Sequence, residues 1–497
     1  MKPSTPSLDP TLQDSALYSQ ALAPVPQALR TWKALDFAAL WIGMCVVLTT
    51  YTLAAGLMGA GMTPGQALLT ITAGNLVVLV PMLLMGFIGA RHGVPFPVLA
   101  RATFGLAGAN VATMARALVG CGWFGIQTWL GGLAVSAIAT RIWPAWAAIP
   151  GHEFMAFALC WIIQMAVIMR GMNAVQYFER LAAPLLLLVS AGLLWWALRQ
   201  SHGLSGLWHS TMALQHHINP DGSDRFAALF WPGLAANVGY WATLSLNIPD
   251  FTRYARSQRD HILGQGLALP LTMAGFSAIG IAVTATALTL FQETLWNPVA
   301  LIPRITNSAP LLVLAMLAIL LAQFTTNIAA NVVAAANDFI NLAPRRISFG
   351  AGALLTGLVG IAMSPWLLLE HASTYVFTWL GGYGSLLGAF SGVMLCDYFL
   401  IRRMQLDVMV LYHPQGHIRW SKRALAAVML AIAPVIPGFV HAATVPGGIV
   451  THGTLWDRLY TYGWFFTCLS GAFWQALLAL PSLSSSGARS GQEKGLL

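Results

Sequence analysis

Apolar stretches long enough to cross a bilayer recur along this chain, and that repetition limits its fold more than any other feature. A transmembrane helix needs about 20 mostly apolar residues. Runs of this kind cover 34–58, 66–89, 111–139, 154–170, 178–198, 226–247, 265–291, 310–336, 350–369, 374–400, 423–441 and 459–480. Only 8% of the 497 residues are charged and 57% are hydrophobic. Soluble domains carry about 25% charged residues, so water is a poor outer solvent for this chain and lipid a good one. Inside lipid each backbone polar group must bond within the protein, which makes helices of runs this long. The expectation is an all-α integral membrane protein with 12 transmembrane helices.

The net charge of +9 would suggest nucleic acid in a soluble protein. Here the cations lie between spans and read as topology. With the N-terminus in the cytoplasm, the inner segments hold Lys2, Arg30, Lys33, Arg91, Arg101, Arg116, Arg170, Arg180, Arg253, Arg256, Arg259, Arg345 and Arg346. They also hold Arg402, Arg403, Arg419, Lys422, Arg423, Arg489 and Lys494. The outer segments hold only Arg141, Arg199, Arg225, Arg304 and Arg458. This asymmetry fits the positive-inside rule, and it places both termini in the cytoplasm. The partners expected are a bilayer and a small ligand, with no nucleic acid; the protein reads as a monomer of a bacterial inner membrane. Residues 1–30, rich in proline, and 482–497, rich in Ser and Gly, read as disordered cytoplasmic tails.

Catalytic groups are hard to find. The histidines fall in loops, tails or span ends, and Asp36, Asp250, Asp338 and Asp397 read as boundary residues. His202, His209, His216 and His217 lie in a long outer loop without the carboxylate or Cys pattern of a metal site. The five cysteines read as small hydrophobes. Charge in mid-bilayer marks proton relays or charged substrates, so its apparent absence speaks against both. A membrane enzyme would need an acid, base or metal cluster near one interface, and none is visible. A channel or a non-transporting sensor is the rival from another class.

Neutral polar groups do interrupt the spans. On the third, Trp123 and Gln127 are four residues apart and share a helix face. An indole plane beside an amide suits a flat ring bearing N–H and C=O groups; a packing Trp with an interhelical Gln is the alternative. On the eighth, the stretch Gln323-Phe324-Thr325-Thr326-Asn327 leads on to Asn331. Thr hydroxyls with freed carbonyls are hard oxygen ligands for a small cation, or they bond back to their own helix. On the sixth, Gly239-Tyr240-Trp241 suggests a break that exposes backbone. Phe37-Ala38-Ala39-Leu40-Trp41 and Phe226-Ala227-Ala228-Leu229-Phe230-Trp231 open spans one and six. Five spans separate these two starts, as in an inverted-topology repeat.

Three stretches carry a family resemblance: Gly93-Val94-Pro95-Phe96-Pro97-Val98-Leu99-Ala100-Arg101, then Arg116 through Trp129, then Ile248-Pro249-Asp250-Phe251-Thr252-Arg253-Tyr254. Over about residues 23–480 the chain resembles the first nucleobase–cation symporter family, which includes bacterial hydantoin, allantoin, cytosine and uracil permeases. The resemblance implies a LeuT-type fold, a five-plus-five inverted repeat over 31–200 and 201–402 with two added helices in 403–481. It implies a substrate stacked between Trp123 and Trp241, amide contacts from Gln127 and Asn331, and a backbone carbonyl near Tyr240. For sodium-coupled members it implies Na⁺ held by carbonyls at Gly43, Val46 and Ala322 and by the hydroxyls of Thr325 and Thr326. One departure stands out. Family members often carry a polar side chain in the span-one break, followed by Ile-Pro-Thr-Tyr or a close variant. Here Val47 takes the polar position and Thr49 replaces the proline, so Thr49 is the candidate to supply the missing group. The function expected is cation-coupled uptake of a small uncharged nitrogen heterocycle, with Na⁺ favoured over H⁺.

Overall fold

The computed structural model describes residues 10–493 apart from 170–171, 223, 294, 296, 369–373, 416 and 449–452. Lys2, Arg170 and Lys494 lie outside the described residues, as do the side chains of Arg180 and Arg489. The described chain is helical, with one isolated bridge between Trp32 and Ala255.

Among the described residues, seven helices are long and apolar enough to cross a membrane by themselves: Pro64–His92, Ala109–Ile142, Gln258–Phe291, Ala309–Leu342, Tyr375–Ile401, Lys422–Thr444 and Gly463–Leu480. They are the expected spans two, three, seven, eight, ten, eleven and twelve. Span one is a bent pair, Ala34–Cys45 and Leu48–Gly59, with 56° between the halves. Shorter apolar helices, His152–Ile168, Pro184–Gln200 and Phe349–Ala362, occupy spans four, five and nine. Span six runs Phe226–Tyr240, breaks at Trp241, and resumes as Ala242–Asn247. The backbone of the last helix continues to Glu493.

Burial orders the spans. In span three 83% of the most apolar stretch is enclosed by protein, against 33% for spans eleven and twelve. Span three is therefore the central post, and the last two spans are peripheral. Glycines set the closest approaches. A Cβ on Gly239 would meet the Leu380 carbonyl oxygen at 2.4 Å, and one on Gly125 would meet that of Gly360 at 2.4 Å. Gly239 thus brings span six against span ten; the break itself falls two residues later.

Three expectations are corrected. From Pro10 onward the N-terminal segment is docked, not a free tail. Leu12 and Leu22 are buried, Val25 N–H donates to Gly93 O at 2.8 Å, and Tyr412 Oη donates to Leu22 O at 2.5 Å. Arg253 Nη1 reaches Ala21 O at 2.9 Å. The second correction concerns ionisable groups. Arg116 is not a loop cation: it lies within span three, fully buried, 3.6 Å from the equally buried Asp338. Asp250 is buried too, and its Oδ1 accepts from Phe96 N–H at 2.9 Å. Residues 199–225 are also not all loop, since Leu204–Ile218 is a helix.

Candidate functional site

The two breaks create the site. In an uninterrupted helix the N–H of Val47 would meet the Gly43 carbonyl four residues back, and that of Thr50 would meet Val46. Here Val47 N–H turns to Cys45 O at 3.0 Å and Thr50 N–H to Val47 O at 3.1 Å. The carbonyls of Gly43 and Val46 thereby lose their helical donors. Thr326 Oγ1 donates toward Gly43 O at 2.8 Å and Ala322 O at 3.1 Å, and Thr325 Oγ1 donates to Ala322 O at 3.0 Å. Four of the five oxygens expected around a cation are thus joined through these contacts. Just beyond, span eight widens into a π-helix over Asn327–Val333, a form that often marks functional sites.

A cavity of about 20 Å³ lies beside this oxygen cluster, lined by Met44, Trp123, Gln127, Tyr240, Trp241, Thr243, Leu244, Thr326, Ala330 and Asn331. All five residues expected at the substrate from spans three, six and eight meet there. Both indoles are anchored through their N–H. Trp123 Nε1 donates to Tyr383 Oη at 3.0 Å, and Trp241 Nε1 donates to Asn75 Oδ1 at 2.8 Å. Trp241 packs T-shaped with Trp41, ring centroids 5.0 Å apart. Rings held this way can offer a ligand their faces. Gln127 Oε1 is buried without a hydrogen-bond partner.

Tyr240 does more than the backbone role expected of it. Its ring packs T-shaped against Trp123 at 5.1 Å and against Trp241 at 4.8 Å. Its hydroxyl bonds with Thr49 Oγ1 at 2.8 Å and Thr50 Oγ1 at 3.2 Å. Its carbonyl accepts from Tyr383 Oη at 3.4 Å. A volume of 20 Å³ holds about one water, so a heterocycle is admitted only when these rings move. Thr49 acts here through Tyr240. Val47 is not brought to this cavity: with Val46 and Leu48 it lines a separate apolar groove of about 340 Å³ against spans five, seven and eight. The reason is the break, which turns Val47 into extended backbone (φ −148°, ψ 155°).

Sequence reasoning passed over Met44, Leu244 and Ala330, which have no polar signature, Thr243, a single hydroxyl in an apolar run, and Tyr375 and Tyr383, which ring Trp123 from span ten. Among the described residues, no acid or base lines the cavity. Its chemistry is that of aromatic faces with two carboxamides, suited to a neutral planar ring with a polar edge.

Residues 24–465 match the family model described as permease for cytosine/purines, uracil, thiamine, allantoin. The chain is 41% identical over 444 residues to the purine-uracil permease NCS1 of Arabidopsis thaliana, covering 86% of this chain and 72% of the relative. It is 36% identical over 434 residues to an allantoin permease of Bacillus subtilis, covering 84% and 86%. Among solved structures it matches Mhp1, a nucleobase-cation-symport-1 family transporter in a closed conformation with bromovinylhydantoin bound. The TM-score is 0.71 at 22% identity, over 94% of this chain and 96% of that one. A Na⁺-coupled sialic acid symporter matches at TM-score 0.57 and 14% identity, over 91% of each chain. The fold is therefore the LeuT-type one expected. With the family match spanning most of its length, the chain belongs to the permeases for cytosine and purines, uracil, thiamine and allantoin, and is a membrane transporter and not an enzyme.

Proposed function

We propose that this permease takes up a small, flat, uncharged nitrogen heterocycle, such as a hydantoin, allantoin or a pyrimidine nucleobase, by alternating access coupled to Na⁺. In this reading the ring stacks on Trp123 and Trp241, and Gln127 and Asn331 bond its edge. Na⁺ sits among the carbonyls of Gly43, Val46 and Ala322 and the hydroxyls of Thr325 and Thr326, displacing the hydrogen bonds Thr326 makes there. The protein acts as a monomer in a bacterial inner membrane with both termini in the cytoplasm.

One observation carries the reading. Thr326 lines the aromatic cavity and also bonds the Gly43 and Ala322 carbonyls of the oxygen cluster. A cation at those oxygens would fix one wall of the ring's pocket, and linkage then requires the ring to tighten cation binding by the same factor. A second reading, proton coupling, is supported by Arg116, Asp250 and Asp338, three ionisable groups buried among spans three, six and eight. Such groups inside a membrane commonly serve proton transfer.

Quenching of tryptophan fluorescence on the purified protein tests both. Uracil, cytosine, hydantoin and allantoin are titrated with and without Na⁺, at two pH values. A response that Na⁺ strengthens is expected. A response indifferent to Na⁺ but stronger at low pH would transfer the assignment to protons, and no response to any ring would overturn the substrate class.

A further inference from the structure

We propose that Gln164, Thr128 and Asn327 lock the Asn331 carboxamide with its oxygen toward the ligand, so that this site selects rings presenting an N–H there; the inference rests on the substrate reading above. Thr128 Oγ1 lies 2.7 Å from the Phe124 carbonyl oxygen. A carbonyl can only accept, so the hydroxyl gives its one hydrogen there. Its two lone pairs then receive Gln164 Nε2 at 3.1 Å and Asn327 Nδ2 at 3.1 Å. With its nitrogen so used, Gln164 turns Oε1 to Asn327 Nδ2 at 2.8 Å. Asn327 Nδ2 also lies 3.2 Å from the Phe124 carbonyl, a third acceptor for its two hydrogens, so one N–H is shared between neighbouring oxygens and only a donor suits the position. Asn327 therefore shows Oδ1 to Asn331, and Asn331 Nδ2 donates to it at 2.9 Å.

Each amide orientation thus follows from one backbone carbonyl. Turning Gln164 around would set nitrogen against nitrogen, and turning Asn331 around would set oxygen against oxygen. Gln164, Thr128, Asn327 and Asn331 are all buried, so no bulk water relieves a reversed amide. Asn331 lines the cavity, and its oxygen is the end the relay leaves for a ligand. Gln127 has no such support, since its buried Oε1 lacks a partner; it can turn to suit the ring. Asn331 is thereby the polarity-setting contact, and Gln164, Thr128 and Asn327 are positioning residues. The substrate class narrows to rings whose bound edge carries an imide N–H between two carbonyls, as in uracil and hydantoin, and an amidine edge with a bare ring nitrogen is disfavoured.

Uracil and cytosine have nearly the same shape and differ in this edge. On the purified full chain, uracil is expected to bind at least about tenfold more tightly than cytosine, the scale of one hydrogen bond gained or left unmade. Asn327→Leu removes the oxygen that holds Asn331 Nδ2, frees Asn331 to turn and is expected to narrow that ratio by about tenfold. Gln164→Leu combined with Thr128→Val leaves Asn327 only its contact with the Phe124 carbonyl, and is expected to move the ratio the same way should the Asn327 variant not fold. General loosening of the pocket would weaken both rings together and leave their ratio alone. Equal binding of the two rings by the wild type, or a ratio unchanged in the folded variants, overturns the relay but not the function. Wild-type protein that binds none of uracil, cytosine, hydantoin and allantoin overturns both.

Discussion

Trp123 is the residue on which the pocket leans most. Its N–H is tied to Tyr383, and three tyrosines pack T-shaped with its ring. Base–aromatic stacking is worth about 1–3 kcal/mol per base, which is roughly 5- to 150-fold in affinity. Trp123→Ala is expected to weaken heterocycle binding within that range and to leave the cation response in place; ligand titrations with and without Na⁺ check it. Tyr240 plays the opposite part. Its hydroxyl, held by Thr49 and Thr50, keeps its ring where a ligand has to go. Tyr240→Phe keeps the aromatic packing but loses those bonds, at a cost of about 1 kcal/mol in stability. Because the closed arrangement is the one weakened, the binding-competent fraction rises. Lower thermal stability with tighter ligand binding is the expected pair of results. Weaker binding would mean that the hydroxyl serves the ligand and not the closed state.

At the scale of elements, function depends on where helices stop being regular. The spans themselves were legible, because an apolar run of bilayer length has few other readings. The break in span one was not visible in hydropathy: Val46 and Val47 are as apolar as their neighbours, and no proline or glycine separates Cys45 from Leu48. Only the family resemblance pointed to the Gly43 and Val46 carbonyls. It also misled at Val47, since a motif aligns residues along the chain while the extended backbone there turns this one toward another groove. The relay was hidden for a related reason. Gln164 sits in a short apolar helix and contacts Asn327 across a sequence gap of 163 residues, which no local pattern reports. Thr326 tests the span one–span eight contact. Thr326→Val is expected to abolish the effect of Na⁺ on substrate affinity and to leave Na⁺-free affinity within about threefold, less than one hydrogen bond. A sodium effect of wild-type size in this variant would separate the oxygen cluster from coupling.

The molecule as a whole is bound together beneath the site by polar groups that composition had assigned to loops. Arg101, buried in Phe96–Phe104, bonds Asn341 Oδ1 at 3.0 Å, Leu411 O at 3.2 Å and Leu17 O at 3.3 Å, joining the docked N-terminal segment to the helices. Counting charges misjudged these cations, because net charge carries no information on burial. Arg116 shows the consequence best. From span three it meets Asp338 of span eight, donates to Ala330 O at 2.7 Å one residue before Asn331, and reaches Asn247 Oδ1 at 3.3 Å below the break of span six. Removing one partner of a buried pair strands the other charge, at about 3–5 kcal/mol, whereas replacing both by apolar groups is often neutral. Asp338→Asn is therefore expected to lower the midpoint of thermal unfolding in detergent sharply, and the double change Arg116→Met with Asp338→Leu to recover most of it. That recovery would mark the pair as a structural clasp among three spans. A single variant that unfolds like the wild type would mean that Asp338 already carries a proton in the resting protein.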